Sequence, residues 1–360
     1  MAFSFGFSGD DIDMDDSEIN NDICPVTSQQ NVGNSLPELV KASKHDMNEW
    51  LSILPSQIFY NKLKIGDAPV VIARREIFDI RTQLMAEDSA GHDNEELIAG
   101  IEKGDIKPNF YEGGFKTWEC ALDLAKLSLD EDILNGSSDG LQDTHIIELG
   151  AGTAVPSLTL FARALGAEYT CKKHFTFADY NSDVLRLVTL PNLLLTWQES
   201  RSQTAVSSAS TSTAQDQEEE LDITPELIEE FKIDLANRGI SVDFVSGAWS
   251  AEFVDLVFGS GDGPCRTLVL ASETIYSPSS LMAFSETLLA LLRRSNTAST
   301  KSRALVAAKK VYFGVGGGVD EFLAVLGNVC GSELDVQQKL DVHSEGVGRV
   351  VLEVVPSTTA

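Results

Sequence analysis

The chain is short of positive charge. Its 27 lysines and arginines stand against 55 aspartates and glutamates, for a net charge of −28 over 360 residues. A surface that acidic repels nucleic-acid phosphates and anionic lipid, and steers a basic partner towards it. Cysteine is scarce as well: Cys24, Cys120, Cys171, Cys265 and Cys330 are scattered and odd in number, with no Cys-x-x-Cys pair. This argues against a disulfide framework and a zinc site, and suits a reducing compartment. The five histidines do not cluster along the chain, so no metal is expected. No run of about 18 apolar residues exists to cross a membrane. Met1 to Phe7 is followed at once by acids, not by the apolar stretch of a signal peptide. These absences lead us to expect a soluble, intracellular protein with no direct nucleic-acid or membrane partner. We further expect a monomer of the cytoplasm and nucleus.

What is present is ordinary apolar content, 43%, enough for a sizeable core. Residues 1–35 carry Asp10, Asp11, Asp13, Asp15, Asp16, Glu18 and Asp22 with no basic residue among them. Such a stretch cannot offset its ordering entropy by burial and is expected to be a disordered tail. Residues 36–110 read as an N-terminal extension packing on a core. In it Trp50, Leu51, Leu54, Ile58, Phe59 and Leu63 can form an apolar surface, 70–73 suggests a strand and 95–103 a short helix. No chemistry can be assigned to this extension. From 111 to 360 strand and helix patterns alternate. Strands are expected at 145–149, 175–178, 242–245, 267–271 and 304–309, and helices at 117–129, 155–165, 182–197, 225–237, 279–293 and 319–329. The runs 334–340 and 349–355 suit a closing antiparallel pair. Repeated strand–helix units imply an α/β fold, a parallel sheet covered on both faces. Residues 200–220, mostly Ser, Thr, Gln and Glu with almost nothing apolar, read as a low-complexity insertion that adds nothing to the core.

The first of these strands ends in Glu148-Leu149-Gly150-Ala151-Gly152. Gly150 and Gly152 allow a sharp turn and close ligand approach, and the following helix offers N–H groups to a ligand. A dinucleotide fingerprint wants a small residue three places after the second glycine. Here Val155-Pro156 crowds that approach. Glu148 is unhelpful beside a pyrophosphate but suits a cationic ligand such as S-adenosylmethionine. Asp179, ending the second strand, can accept ribose hydroxyls, although it or Asn181 can equally cap the next helix. Trp249, after Gly247 and Ala248, can cover an adenine or simply pack in the core. Glu273 and Tyr276, in Ser272-Glu273-Thr274-Ile275-Tyr276, fall beyond the carboxyl end of the fourth strand, where chemistry sits in open parallel sheets. A capping or salt-bridging role for Glu273 stays open. Gly316 to Gly318 lack the Gly-Lys-Ser/Thr of a phosphate loop, so the run from Lys309 to Gly318 reads as a flexible, aromatic-flanked substrate loop.

Three segments are specific: Gly113-Gly114-Phe115-Lys116-Thr117-Trp118-Glu119-Cys120, Ser272 to Tyr276, and Lys309 to Gly318. With them the stretch from Tyr111 to about Pro356 resembles the eukaryotic protein-histidine N-methyltransferase family. The Trp118-Glu119 pair is shared with related protein-lysine methyltransferases. The resemblance implies a seven-strand class I methyltransferase (Rossmann-like) sheet with S-adenosylmethionine as cofactor. It implies donor contacts from Thr117, Trp118, Glu119, Cys120, Gly150, Asp179, Tyr180, Asn181, Gly247, Ala248, Trp249 and Ser272, to which Glu148 and Gly152 are added from the turn itself. It implies methylation, at the tele nitrogen, of one histidine in the third protein of the large ribosomal subunit, a basic partner. The competing readings are a protein-lysine methyltransferase on the same sheet, a non-catalytic acidic chaperone for a basic ribosomal protein, and, more distantly, an NAD oxidoreductase.

Overall fold

Strand β4 (Thr144–Leu149) is buried at every position. A strand without alternation has to be covered on both faces, and in the computed structural model it lies in the middle of an eight-stranded sheet. The structure describes residues 39–66, 70–89, 97–98, 113–131, 133–134, 142–166, 171–206, 218–259, 265–296, 300–314, 316–343 and 346–357. The expected acidic tail at 1–35 lies outside them, as does nearly all of the expected helix at 95–103.

The sheet order is β1 (Ser43–His45), β7 (Ile240–Ser246), β5 (Lys173–Asp179), β4, β8 (Arg266–Ser272), β9 (Ser302–Lys309), β11 (Arg349–Pro356), β10 (Leu334–Val342). β7, β5, β4, β8 and β9 run parallel. β11 and β10 close the sheet as an antiparallel pair, as the sequence suggested. The expected seven strands are present, with β1 from the N-terminal extension added antiparallel to β7 as an eighth. The chain moves from β4 out to β5 and β7, then returns to β8 and β9 on the other side. This reversal opens the crevice in which open α/β sheets bind ligands, at the carboxyl ends of β4 and β8.

Two apolar layers follow from the alternation of the strands. Helices Glu119–Asp130, Val155–Leu165 and Leu190–Val206 pack with Ile146, Phe175, Phe177, Leu268 and Leu270 on one face. Helices Ala251–Phe258, Leu281–Ser295 and Val319–Cys330 pack with Ile147, Leu149, Val269 and Val306 on the other.

Two expectations need correction. Part of the span read as a non-contributing insertion is regular structure. The helix beginning at Ser182 continues to Val206, and Glu219–Asp222 forms β6. β6 pairs with β2 (Gln57–Ile65), which pairs with β3 (Val70–Arg75) in a second, three-stranded sheet. Leu221 and Ile223, just beyond the polar run, pack there with Ile58, Tyr60 and Leu195 and dock the edge strand. The long helix is also not uniform. Leu185–Thr189 is a π-helical turn, a feature that often marks functional sites.

The histidines, dispersed in sequence, do meet in space. Parallel pairing sets His145 beside His174, with rings stacked at 4.2 Å. Their Nε2 atoms are taken by Thr176 Oγ1 (2.7 Å) and Asp243 Oδ2 (3.0 Å). Among the described residues no His, Cys, Asp and Glu cluster suited to a metal occurs. Burial first, then the neighbouring His174, pushes His145 down to about 3. An unfolded histidine titrates near 6.5, so between these values the unfolded chain binds the extra proton and stability falls as pH drops. At about 1.4 kcal/mol per pH unit this amounts to several kcal/mol across the window. A His145→Gln variant is expected to show a shallower loss of melting temperature between pH 6.5 and 4 than the unmodified chain. An identical slope would refute the assignment.

Candidate active site

The turn after β4 is left-handed at Gly150 (φ +64°) and Gly152 (φ +52°). A side chain on Gly150 would strike Thr274 Cγ2 at 2.8 Å, so the β4 turn lies directly against the loop after β8. The turn is held from the other side by the π-helical segment. Thr189 Oγ1 donates to the Gly152 carbonyl (2.7 Å), and Asn192 Nδ2 to that of Thr153 (3.1 Å).

Several N–H groups of this turn, which the sequence had suggested would face a ligand, are taken within the protein. The Ala151 N–H goes to the Ala178 carbonyl (2.8 Å) and the Gly152 N–H to Asp179 Oδ2 (3.0 Å). The Ser157 N–H goes to Glu148 Oε2 (3.0 Å). Glu148 was expected beside a cationic ligand. It is 1% exposed and accepts a first-turn N–H of helix Val155–Leu165 from beneath. Burial pushes its carboxyl up to about 8, against the opposing pull of its bonds to Ser157. With the Ser157 N–H taken by this carboxyl group and Pro156 lacking an N–H, the first turn of the helix has fewer donors for a pyrophosphate.

Asp179 ends β5 as expected. Its two oxygens accept the N–H of Gly152 and of Asn181 (3.1 Å). Asn181 is itself a cap: its Oδ1 accepts the Asp183 N–H at 2.8 Å. Beside them the Gly247 N–H donates to the Asp179 and Tyr180 carbonyls. Gly247 (φ +106°) admits no side chain, because a Cβ would lie 2.6 Å from the Lys41 carbonyl. The Ala248 N–H bonds the Val40 carbonyl, and the Val40 N–H bonds Tyr180 Oη. The N-terminal extension thus borders the segment read as the adenine end. Trp249 is half-buried against Phe284 (5.0 Å), so its core reading is met while part of the ring stays accessible.

On the other side of the turn, Thr117 Oγ1 lies 3.0 Å from Thr153 Oγ1. Trp118 precedes helix Glu119–Asp130, and its indole N–H reaches the Gly113 carbonyl (3.0 Å). Glu119 is exposed. Cys120 is fully buried, and burial, followed by the charge of Glu273, drives its thiol well above the usual range.

Glu273 follows β8 in a left-handed conformation (φ +56°), costly for a non-glycine residue and held by its N–H to the Ala307 carbonyl (2.9 Å). Its side chain is 9% exposed, and Oε1 makes no hydrogen bond among the described residues. Lys309 Nζ is 3.6 Å from that atom and 3.1 Å from Glu119 Oε2, and it lies over the Trp118 ring at 5.3 Å. Burial lowers the Lys309 pKa, but the two carboxylates outweigh it and the net shift is upward. Tyr312 sits in the same corner. Its Oη accepts the Lys309 N–H (3.2 Å), and its ring meets Tyr276 edge-on at 6.3 Å. The loop beyond is tighter than its glycines suggested: Val311 bridges Gly318, and the Gly317 N–H bonds the Tyr276 carbonyl. Any Cβ on Gly317 would collide with that carbonyl.

The structure therefore gathers Thr117, Trp118, Gly150, Gly152, Asp179, Tyr180, Asn181, Gly247, Ala248, Trp249, Ser272, Glu273 and Tyr276 along the carboxyl edge of the sheet. Glu148 and Cys120 lie beneath that edge. Sequence reasoning named Lys309 and Tyr312 only as parts of a loop. Their position at the end of β9, next to β8, was the signal that could have marked them.

No family model matches the chain. It is 34% identical over 371 residues to histidine protein methyltransferase 1 of Saccharomyces cerevisiae, covering 96% of this chain and 94% of the relative. It is 34% identical to the Schizosaccharomyces pombe protein of the same name, with 98% and 92% covered. The histidine protein methyltransferase 1 homolog of Bos taurus is 30% identical, with 76% of this chain and 63% of the relative covered. Among solved structures, a putative class I S-adenosylmethionine-dependent methyltransferase from Listeria monocytogenes aligns at a TM-score of 0.38 and 10% identity, covering 78% of this chain and 69% of that one.

Proposed function

The chain belongs to the histidine protein methyltransferase family, and from that premise we propose that it transfers a methyl group from S-adenosylmethionine to the tele nitrogen of a histidine in a basic protein, the third protein of the large ribosomal subunit. The observation that carries the reading is Glu273 Oε1, a buried carboxylate oxygen beyond the carboxyl end of β8 that makes no hydrogen bond among the described residues and has Lys309 Nζ at 3.6 Å. Such an atom is well suited to accept an imidazole N–H.

Asp179 holds the ribose, Trp249 borders the adenine, and the glycine turn admits the rest of the donor. Bound there, S-adenosylmethionine supplies a methyl carbon on a positively charged sulfur, which keeps the bonding electrons when the methyl leaves. Glu273 accepts the Nδ1–H of the substrate histidine. That fixes the tautomer and leaves the Nε2 lone pair facing the methyl carbon. An imidazole with a pKa near 6.5 is mostly neutral at pH 7, so the acceptor needs placement more than activation. Placement within about 3–3.5 Å supplies much of the rate. As the N–C bond forms, positive charge grows on the ring against the Glu273 carboxylate, and the Nδ1 proton leaves through it to solvent. Lys309 anchors that carboxylate, and Trp118 covers Lys309. The acidic surface favours approach of a basic substrate.

The test is to incubate the purified chain with tritiated donor and a ribosomal protein fraction from cells lacking this activity, then map the label by mass spectrometry. Label on the tele nitrogen of a histidine in a large-subunit protein is the expected result. Label on lysine, or none, overturns the reading.

A further inference from the structure

Arg74 lies on β3, in the extension to which the sequence assigned no chemistry. Its guanidinium is half-buried, and burial lowers its pKa despite the pull of Glu76. All its hydrogen bonds go to neutral oxygens: Nε and Nη2 to Asn61 Oδ1 (3.2 and 2.9 Å), and Nη1 to Thr117 Oγ1 (2.9 Å). Glu76 directs its carboxylate to Asn61 Nδ2 instead. Among the described residues Arg74 has no ion pair, whereas its neighbour Arg75 is matched by Asp79 at 2.6 Å. A desolvated cation without a counter-ion is costly, and the planar fork keeps spare N–H donors for one.

Its location indicates which anion fits. Thr117 Oγ1 is 3.0 Å from Thr153 Oγ1, and Thr153 directly follows Gly152, so Arg74 borders the glycine turn. A nucleoside with its ribose on Asp179, at the end of β5, carries its 5′ substituent towards the end of β4, the neighbouring strand. In S-adenosylmethionine that substituent ends in an amino acid. We propose that Arg74 binds the α-carboxylate of the methyl donor, which makes the small sheet of β2, β3 and β6 part of the donor site. This rests on the donor being S-adenosylmethionine.

Two ligands separate the possibilities in calorimetry. S-adenosylhomocysteine carries the amino acid; 5′-methylthioadenosine has the same nucleoside and thioether without it. Arg74→Met is expected to weaken S-adenosylhomocysteine by about tenfold to a hundredfold, as for a charged hydrogen bond. It should leave 5′-methylthioadenosine within twofold, and that arm also reports that the variant is folded. Arg74→Lys, which keeps the charge but not the fork, should recover part of the loss. Equal loss on both ligands would show a merely structural role, and no loss on either would remove Arg74 from the site. If the unmodified chain binds neither ligand, the donor reading itself fails, and this proposal with it.

Discussion

Glu273→Gln is expected to lower turnover by about two to four orders of magnitude while donor affinity stays within twofold. The amide matches the carboxylate in shape, so the left-handed backbone and the Ala307 bond are retained. What is lost is charge. An amide oxygen can still accept the imidazole N–H, but it cannot balance the positive charge that grows on the ring, and it takes up no proton. It also releases Lys309, leaving that cation with Glu119 alone. Single-turnover methyl transfer, with calorimetry of S-adenosylhomocysteine in parallel, decides the matter. Turnover near that of the unmodified chain would remove Glu273 from the chemistry. A matching loss of donor affinity would make it a structural residue.

Asp179→Ala should raise the dissociation constant for the donor by roughly tenfold to 150-fold. A hydrogen bond to a charged group contributes about 1.5–3 kcal/mol, and about 1.4 kcal/mol is a factor of ten. Here the carboxylate has two tasks. It ties down the Gly152 and Asn181 N–H groups, shaping the turn, and under the proposed function it also accepts from the ribose. Asp179→Asn keeps one acceptor oxygen and should show a smaller effect. An unchanged constant in the alanine variant would mean that the ribose lies elsewhere.

Much of the fold was legible because its causes are local. The period of apolar residues marked the helix at 155–165, whose observed bounds agree, and the closing strand pair appeared where the runs at 334–340 and 349–355 placed it. The reach of β6 was not legible. Its pairing to β2 spans more than 150 residues and is carried by Leu221, Ile223 and polar side-chain bonds such as Tyr60 to Glu219, none of which a local pattern marks. The π-helical turn was hidden because Leu185, Leu187, Val188, Leu190, Leu193 and Leu194 are all buried, so the segment carries no periodic signal that a π turn could interrupt.

By itself the sequence determined the parallel sheet, the glycine turn and the carboxyl-end segments that carry Asp179 and Glu273, since these depend on periodicity, on glycine's access to positive φ and on order along the chain. The tertiary structure decided where charge is buried and what faces it. It turned Glu148 under the helix as a cap and set Lys309 between Glu119 and Glu273. It stacked His145 on His174, and it brought Arg74 from a separate sheet to Thr117. Side-chain burial and through-space pairing depend on which strand ends become neighbours, and in a parallel sheet that is settled by crossovers far longer than any motif.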